Sequence, residues 1–552
     1  MSGLIIASVA ALTLNLLVAA PAIFRLRGAS VDPEGASSEP REASLSLAVL
    51  PLTLLMALLC VNVVSFGDET LSGPNQIALL ISAGVAALVA RGLGQDAEAL
   101  WSGVKRSISD TLEAILILLV IGALAGTWML SGVVPTMIDL GLQLMSPSYF
   151  LIATCALCAL VSLASGSSWS TIATVGVALI GVGSALGFSP GLCAGAIISG
   201  AYFGDKMSPL SDTTNLAPAM AGGSLIPHIR AMLWTTAPAF AGALIIFGVM
   251  GLGTSAQVDS AKVTALQEGL RATLWIHPIL LLVPVSVAAL IALRAPTLVT
   301  LTAGVLLGGL AAALAQPDLL SKLAGESGAL GMFKVITSSM SMSLGLTNEA
   351  ELSQALASSE AFQSLSVDDR AALIKMLYGK LLTGKGMAGM LGTVWLIICA
   401  LTFGGVMERS GFLAQISRAL LSRVQRRAGL VTATATTSVF LNVTASDQYL
   451  AIVVPGRMYQ QRFEDAGLAP EALSRTLEDA GTVTSVLVPW NTCGATQASV
   501  LGVATVAYLP YCFFNWLSPI ITILFAQLGW RQPLLASAQV ALSDQGDETR
   551  EV

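Results

Sequence analysis

From Thr111 to Leu130 the chain reads TLEAILILLVIGALAGTWML, an uninterrupted apolar run long enough to cross a hydrocarbon core, and it is one of many such runs. Lipid offers no partner to a bare N–H or C=O, so a spanning segment must satisfy its own backbone, as a helix or in a closed barrel. The runs are continuous rather than alternating, which selects helices. With 55% of 552 residues apolar and 11% charged, the whole chain belongs to this class, not a single anchor.

Further runs read at 4–24, 45–66, 75–90, 149–165, 170–187, 190–204, 231–252, 273–293, 297–315, 390–407, 429–444, 447–456, 481–503 and 505–527. Several are too short to cross alone, so the expected fold is all-α and polytopic, with about 11 to 13 transmembrane helices. The net charge of −6 and the lack of a basic cluster argue against nucleic acid as a partner and leave the lipid bilayer. All seven Cys lie in or beside apolar runs, and Cys155 and Cys158 form a CxxC inside one, where packing is the expected role.

The expected domains are an extra N-terminal helix with a polar linker (1–44), a first transmembrane half (45–272) and linking helices (273–315). An extramembrane or interfacial insert (316–389), a second transmembrane half (390–530) and a disordered tail (531–552) follow. The first run lacks a basic start, so a retained helix is expected rather than a cleaved signal, although LVAAPA would suit cleavage. The insert carries SVDDRAALIKMLYGKLL, an amphipathic pattern suited to a solvated connector.

Basic residues mark cytoplasmic loops. Arg25, Arg27 and Arg41 follow the first run, and Arg91, Lys105 and Arg106 follow the third, with no Lys or Arg at 67–74 between them. The N-terminus is therefore expected outside and the 91–110 loop in the cytoplasm.

A duplication shows faintly. GALAGTWMLSGVVPTMIDLG (122–141) is similar to ALTFGGVMERSGFLAQISRAL (400–420), each an apolar helix ending near Ser-Gly and followed by an amphipathic piece. ASGSSW and VTASDQ follow at equal distances, and Asp205 and Asp479 lie 74 and 69 residues past Ser131 and Ser410. Residues 131–148 hold no basic residue, whereas 408–428 hold Arg409, Arg418, Arg423, Arg426 and Arg427. The two copies should thus be inverted, an architecture whose sites sit near mid-membrane at broken or re-entrant helices. Small-residue helices also resemble one another by composition alone.

The stretch GDKMSPLSDTTNLAPAMAGG (204–223) sets Asp205, Lys206 and Asp212 between apolar runs. Pro209 removes a donor and breaks the helix, freeing carbonyls. With the hydroxyls of Ser208, Ser211, Thr213 and Thr214 and the amide of Asn215, they offer the hard oxygens a small cation takes. Lys206 could neutralise a carboxylate or carry a proton. Composition alone fits an ordinary loop equally well; the small apolar flanks favour membrane depth, where ionisable residues mark ion paths.

The second half offers Glu478 and Asp479 before a run broken at Pro489 and followed by Asn491, and NVTASDQY adds Asp447. Arg475 stands one turn before Asp479 and is placed to pair with it. Asn442 heads a glycosylation sequon, at a depth where no glycan is expected. His228 and His277 read as interfacial. No nucleophile elbow, metal-ligand cluster or phosphate loop appears, so no enzyme and no cofactor are expected.

The text ISGAYFGDKMSPLSDTTNLAPAMAG closely resembles the signature of the NhaC-type sodium/proton antiporter family. GPNQIALL, ALVSLASGSSWSTIATVGVAL, NVTASDQYLAIVVPGRMY and LSRTLEDAGTVTSVLVPWNTCG continue the likeness over about 45–527. The resemblance implies a multi-pass transporter of the bacterial inner membrane that exchanges Na+ for H+. Malate/lactate antiporter-like members leave a small organic anion open as a partner. On the residues themselves, Asp205 and Asp212 are expected to bind either Na+ or protons, since burial and mutual repulsion disfavour two free charges. Asp447, Asp479 and Asn491 would complete the site from the inverted half. In the anion alternative, half-helix N-termini and Ser165 to Ser168 would hold a carboxylate. A homodimer is compatible with the sequence.

Overall fold

The computed structural model describes residues 41–66, 73–254, 260–293, 295–421 and 426–535. The run at 4–24, most of the polar linker and the tail from 536 lie outside them. Eight described helices are long and apolar enough to cross a membrane, and two bent pairs raise the number to ten. The expected run at 4–24 lies outside the described residues, and Val133–Leu144 is apolar but shorter.

The leading helices are α1 (Leu45–Phe66), α2 (Pro74–Gly92) and the amphipathic α3 (Ala97–Asp110). A first unit follows: α4 (Leu112–Leu130), α5 (Val133–Leu144), α6 (Pro147–Ser165), α7 (Ser168–Ala185), α8 (Pro190–Met207), α9 (Asp212–Ala221) and α10 (Leu225–Thr254). Then come α11 (Ser260–Thr273), α12 (Leu282–Ala292), α13 (Thr297–Ala315) and, in the insert, α14 (Ala329–Ser341) with several short helices. The second unit is α15 (Leu391–Arg409), α16 (Phe412–Leu421), α17 (Arg427–Thr444), α18 (Leu450–Asp465), α19 (Pro470–Leu477), α20 (Thr492–Leu501) and α21 (Phe513–Gln527).

The two units share one punctuation. Left-handed residues stand at Gly132, Gly166, Gly187 and Gly222, and again at Gly411, Ser446, Gly467 and Gly502, each 279 or 280 residues on. Prolines open α8 and α19 at Pro190 and Pro470, where a fixed φ suits a first turn and the missing N–H costs nothing. Pro209 and Pro489 stand in the two breaks, and α9 and α20 are both ten residues long. Contacts repeat as well. Ser162 Oγ donates to the Ala201 carbonyl at 2.6 Å, and its counterpart Asn442 Nδ2 donates to the Gly481 carbonyl at 2.6 Å.

This register corrects the pairing suggested by acid spacing. Asp205 corresponds to Ser485, not to Asp479, whose own counterpart is Ser199. Counting acids misaligned the copies because the breaks, not the charges, are what the duplication preserves.

The copies run in opposite directions. Gly103, just ahead of α4, lies against Gly405 and the Arg409 side chain at the end of α15. Gly122, in the middle of α4, meets Gly386 and Met390, ahead of the start of α15. The start of α4 and the finish of α15 thus share one end of the molecule, and that end carries Arg91, Lys105, Arg106 and Arg409.

Part of the insert is built into this packing. A Cβ on Gly126 of α4 would come within 1.9 Å of the Ser339 carbonyl of α14, so only glycine permits that approach. Leu344–Gly345 pairs antiparallel with Thr383–Gly384 beside it. The short helices of the insert are tied by ion pairs, Lys262 to Asp369 at 2.9 Å and Lys322 to Glu351 at 2.7 Å.

Candidate functional site

Helices α6 and α8 pack closely enough to bring the left-handed turn at Gly166 beside the first break. A Cβ on Gly200 would stand 2.0 Å from the Cys155 carbonyl. Cys158 lies at the same contact, so the CxxC serves packing, with its thiols buried and unbridged. The approach sets Ser168, the first residue of α7, against the last turn of α8.

There Asp205 is buried. Its Oδ2 accepts Ser168 N–H at 3.0 Å and Ser168 Oγ–H at 2.6 Å, bonds that place a carboxylate at a helix N-terminus, where the dipole favours negative charge. Its Oδ1 has no hydrogen-bond partner among the described residues. Asp205 lines a cavity of about 550 Å³ together with Ser165, Ser167, Asp212, Asp447 and Tyr449. No Lys or Arg lines it among the described residues.

Asp212 is exposed and opens α9. One carboxylate oxygen accepts Thr213 N–H at 2.8 Å and the other the Tyr449 hydroxyl from the second unit. The hydroxyls and amide around it mostly hold the break. Thr214 Oγ1 donates to the Lys206 carbonyl at 3.0 Å and the Asp205 carbonyl at 3.3 Å, groups that the ended helix leaves open. Asn215 Nδ2 donates to the Ser211 carbonyl at 2.6 Å and the Pro209 carbonyl at 3.0 Å. Ser208 Oγ accepts Leu210 N–H at 3.2 Å, and the Ser211 and Thr213 hydroxyls pair at 3.2 Å.

From the second unit, Asp447 reaches the cavity while one of its oxygens caps the start of α18, accepting Tyr449 N–H at 2.9 Å and Leu450 N–H at 3.1 Å. Asn491 does not line the cavity. It caps α20, accepting Cys493 N–H at 3.0 Å, and donates to the Asn442 carbonyl at 3.0 Å.

Lys206 and Asp479 lie elsewhere. Successive helical residues point about 100° apart, and Lys206 turns away from the cavity to form a fully buried ion pair with Asp479. Thr236 accepts from Lys206 at 2.7 Å. Asp479 accepts from Ser518 at 3.0 Å, Thr235 at 2.9 Å and Thr522. The pair joins the two units and leaves no acceptor on Asp479 for Arg475, whose Nη1 donates to the Arg531 carbonyl at 3.0 Å instead. His228 is buried, its Nδ1 2.8 Å from Ser474 Oγ.

Sequence reasoning missed Asp110 and Glu113, which line the cavity from the end of α3 and the start of α4. They read as the edge of a cytoplasmic loop, and only the fold brings them to the break. Gln448 and Tyr449 were legible as a polar break in SDQY, without a partner to give them a role.

Two inverted copies of a broken-helix unit, meeting at an acid-lined cavity within apolar spans, define a polytopic membrane protein of the secondary-transporter class. Residues 200–530 match the Na+/H+ antiporter family. The Na+/H+ antiporter NhaC of Alkalihalophilus pseudofirmus is 35% identical over 489 residues, 89% of this chain and 96% of that protein. The malate-2H+/Na+-lactate antiporter of Bacillus subtilis is 33% identical, over 83% of this chain and 90% of its own. The arginine/ornithine antiporter ArcD of Halobacterium salinarum is 32% identical, over 91% and 94%. The chain belongs to the Na+/H+ antiporter family.

Proposed function

We propose that the protein exchanges Na+ for H+ across the bacterial inner membrane, with Asp205 and Asp212 as the shared site. The observation that carries this reading is the Asp205 carboxylate: buried at a helix break, fixed by Ser168 through one oxygen, and lining the cavity, with no hydrogen-bond partner on the other oxygen among the described residues. An oxygen so placed takes either a proton or a cation. Asp212 and Asp447 add negative charge to the cavity wall, which suits a cation. Occupancy by one ion excludes the other, and movement of one inverted unit against its partner exposes the site to the two sides in turn. Asp110 and Glu113 line the cavity from the end that bears the basic loops, which supports access from the cytoplasm.

Purified protein in liposomes tests the proposal. An imposed Na+ gradient is expected to move protons in the opposite direction with no organic anion present; proton movement that requires an added anion would overturn it. One observation favours a second reading, that of anion exchange coupled to both cations. The cavity is far larger than a bare ion needs, and Ser165, Ser167, Gln448 and Thr492 offer donors on its wall. Malate or lactate added to the same vesicles distinguishes the two.

A further inference from the structure

One acid remains without a role in this account. Glu478 begins a π-helical stretch, Glu478–Thr482, that continues α19. It is fully buried, and neither carboxyl oxygen has a hydrogen-bond partner among the described residues. Lys206 is within electrostatic reach but committed to Asp479. Arg475, one turn earlier, gives Nη1 to the Arg531 carbonyl, and neither its Nε nor its Nη2 bonds Glu478. Ionising a carboxyl at that depth without a donor is costly, so it keeps its proton unless something repays the charge.

The fold does not require an acid there. The corresponding residue of the first unit is Ile198, equally buried, in a helix that opens with the same proline and ends at the same break. The local backbone is also unusual, since wide π turns are rare and recur at functional positions.

A polar line connects Glu478 with the cavity. Thr482, one turn on, brings its hydroxyl to the Glu478 carboxyl. Ser485 stands a further turn on, donating to the Thr482 carbonyl at 2.7 Å and to Gln448 Oε1 at 3.1 Å. Gln448 lines the cavity. Ser485 occupies the position that Asp205 holds in the first unit, so the polar line meets the cavity at the mirror image of the cation site.

We propose that Glu478 is a second proton-carrying residue of the exchange, loaded and emptied through the face formed by Thr482, Ser485 and Gln448. The proton leaves the Glu478 carboxyl for water in the cavity along those hydroxyls, and the carboxylate regains it by the same route. Glu478 and Asp205 lie within electrostatic range of each other, so two ionised carboxylates oppose one another. Na+ on Asp205 screens that repulsion and releases the Glu478 proton, which links the second proton to the cation.

This inference rests on the Na+/H+ exchange reading, and vesicles separate the two. If wild-type protein moves no protons under a Na+ gradient, the exchange reading fails. Where wild type does move them, Glu478→Gln is expected to keep exchange of radiolabelled Na+ for unlabelled Na+ and to lower the ratio of protons moved per Na+. Glu478→Ile, which copies the first unit, is expected to do the same and serves should the glutamine variant fold poorly. An unchanged ratio in either variant overturns the proposal. Loss of Na+/Na+ exchange in both would show a structural role and overturns it equally.

Discussion

The two helix breaks are built alike and charged differently. In the first unit Ser168 donates to Asp205; in the second, the corresponding residues are Gln448 and Ser485, and there Ser485 donates to Gln448 at 3.1 Å. The contact between the turn and the helix end is retained, while a carboxylate has become a hydroxyl. The comparison separates what the scaffold needs, a polar bridge across the break, from what transport needs, a carboxylate at the helix end of the first break. The ion pair of Lys206 and Asp479 shows the same division, because its counterparts Val486 and Ser199 are uncharged.

Removing the charge that distinguishes the breaks should have the largest effect. Asp205→Asn keeps shape and a donor, and is expected to reduce Na+-driven proton flux in vesicles to the level of empty vesicles; residual coupled flux would mean the breaks do not differ as described. Lys206→Met leaves a buried carboxylate uncompensated and should cost about 3–5 kcal/mol in thermal unfolding of the solubilised protein. Replacing both partners with apolar residues should cost less than either single change.

Packing provides a finer contrast. Gly200→Ala drives a Cβ into the Cys155 carbonyl and is expected to destabilise by about 1–3 kcal/mol. At the corresponding Ala480 the second unit already accepts a Cβ, and Ala480→Gly should cost only about 0.5–1 kcal/mol. Equal effects in the same unfolding assay would refute the difference in helix spacing. Smallest of all, Ser485→Ala removes a neutral bridge, with an expected cost of about 1 kcal/mol; Na+/Na+ exchange should persist. A loss as complete as that of Asp205→Asn would place the cation on both sides of the pseudo-symmetry.

Much of this architecture was legible because lipid leaves the backbone few choices. The apolar runs, the break at Pro209 and the inversion of the copies followed from hydropathy, proline chemistry and the placement of arginines. The register was also present, in Pro190 with Pro470 and Gly222 with Gly502, but charged residues drew attention from it. What could not be read was direction. Asp205 and Lys206 are neighbours in sequence and face different surroundings, one the cavity and the other a buried partner 273 residues away. The hydroxyls of the signature looked like free ligands, yet Thr214 and Asn215 are occupied by the carbonyls that the break exposes. Asp110 and Glu113 carried no signal of their own, since only the antiparallel setting of α4 and α15 brings that end of α4 to the cavity.

Competition of Na+ and H+ for one carboxylate is most directly tested by adding Na+ to weakly buffered, detergent-solubilised protein and measuring the pH. Wild-type protein is predicted to release protons as Na+ binds, and Asp205→Asn to release none. Na+ binding to wild type without proton release, or equal release from the variant, would contradict the account.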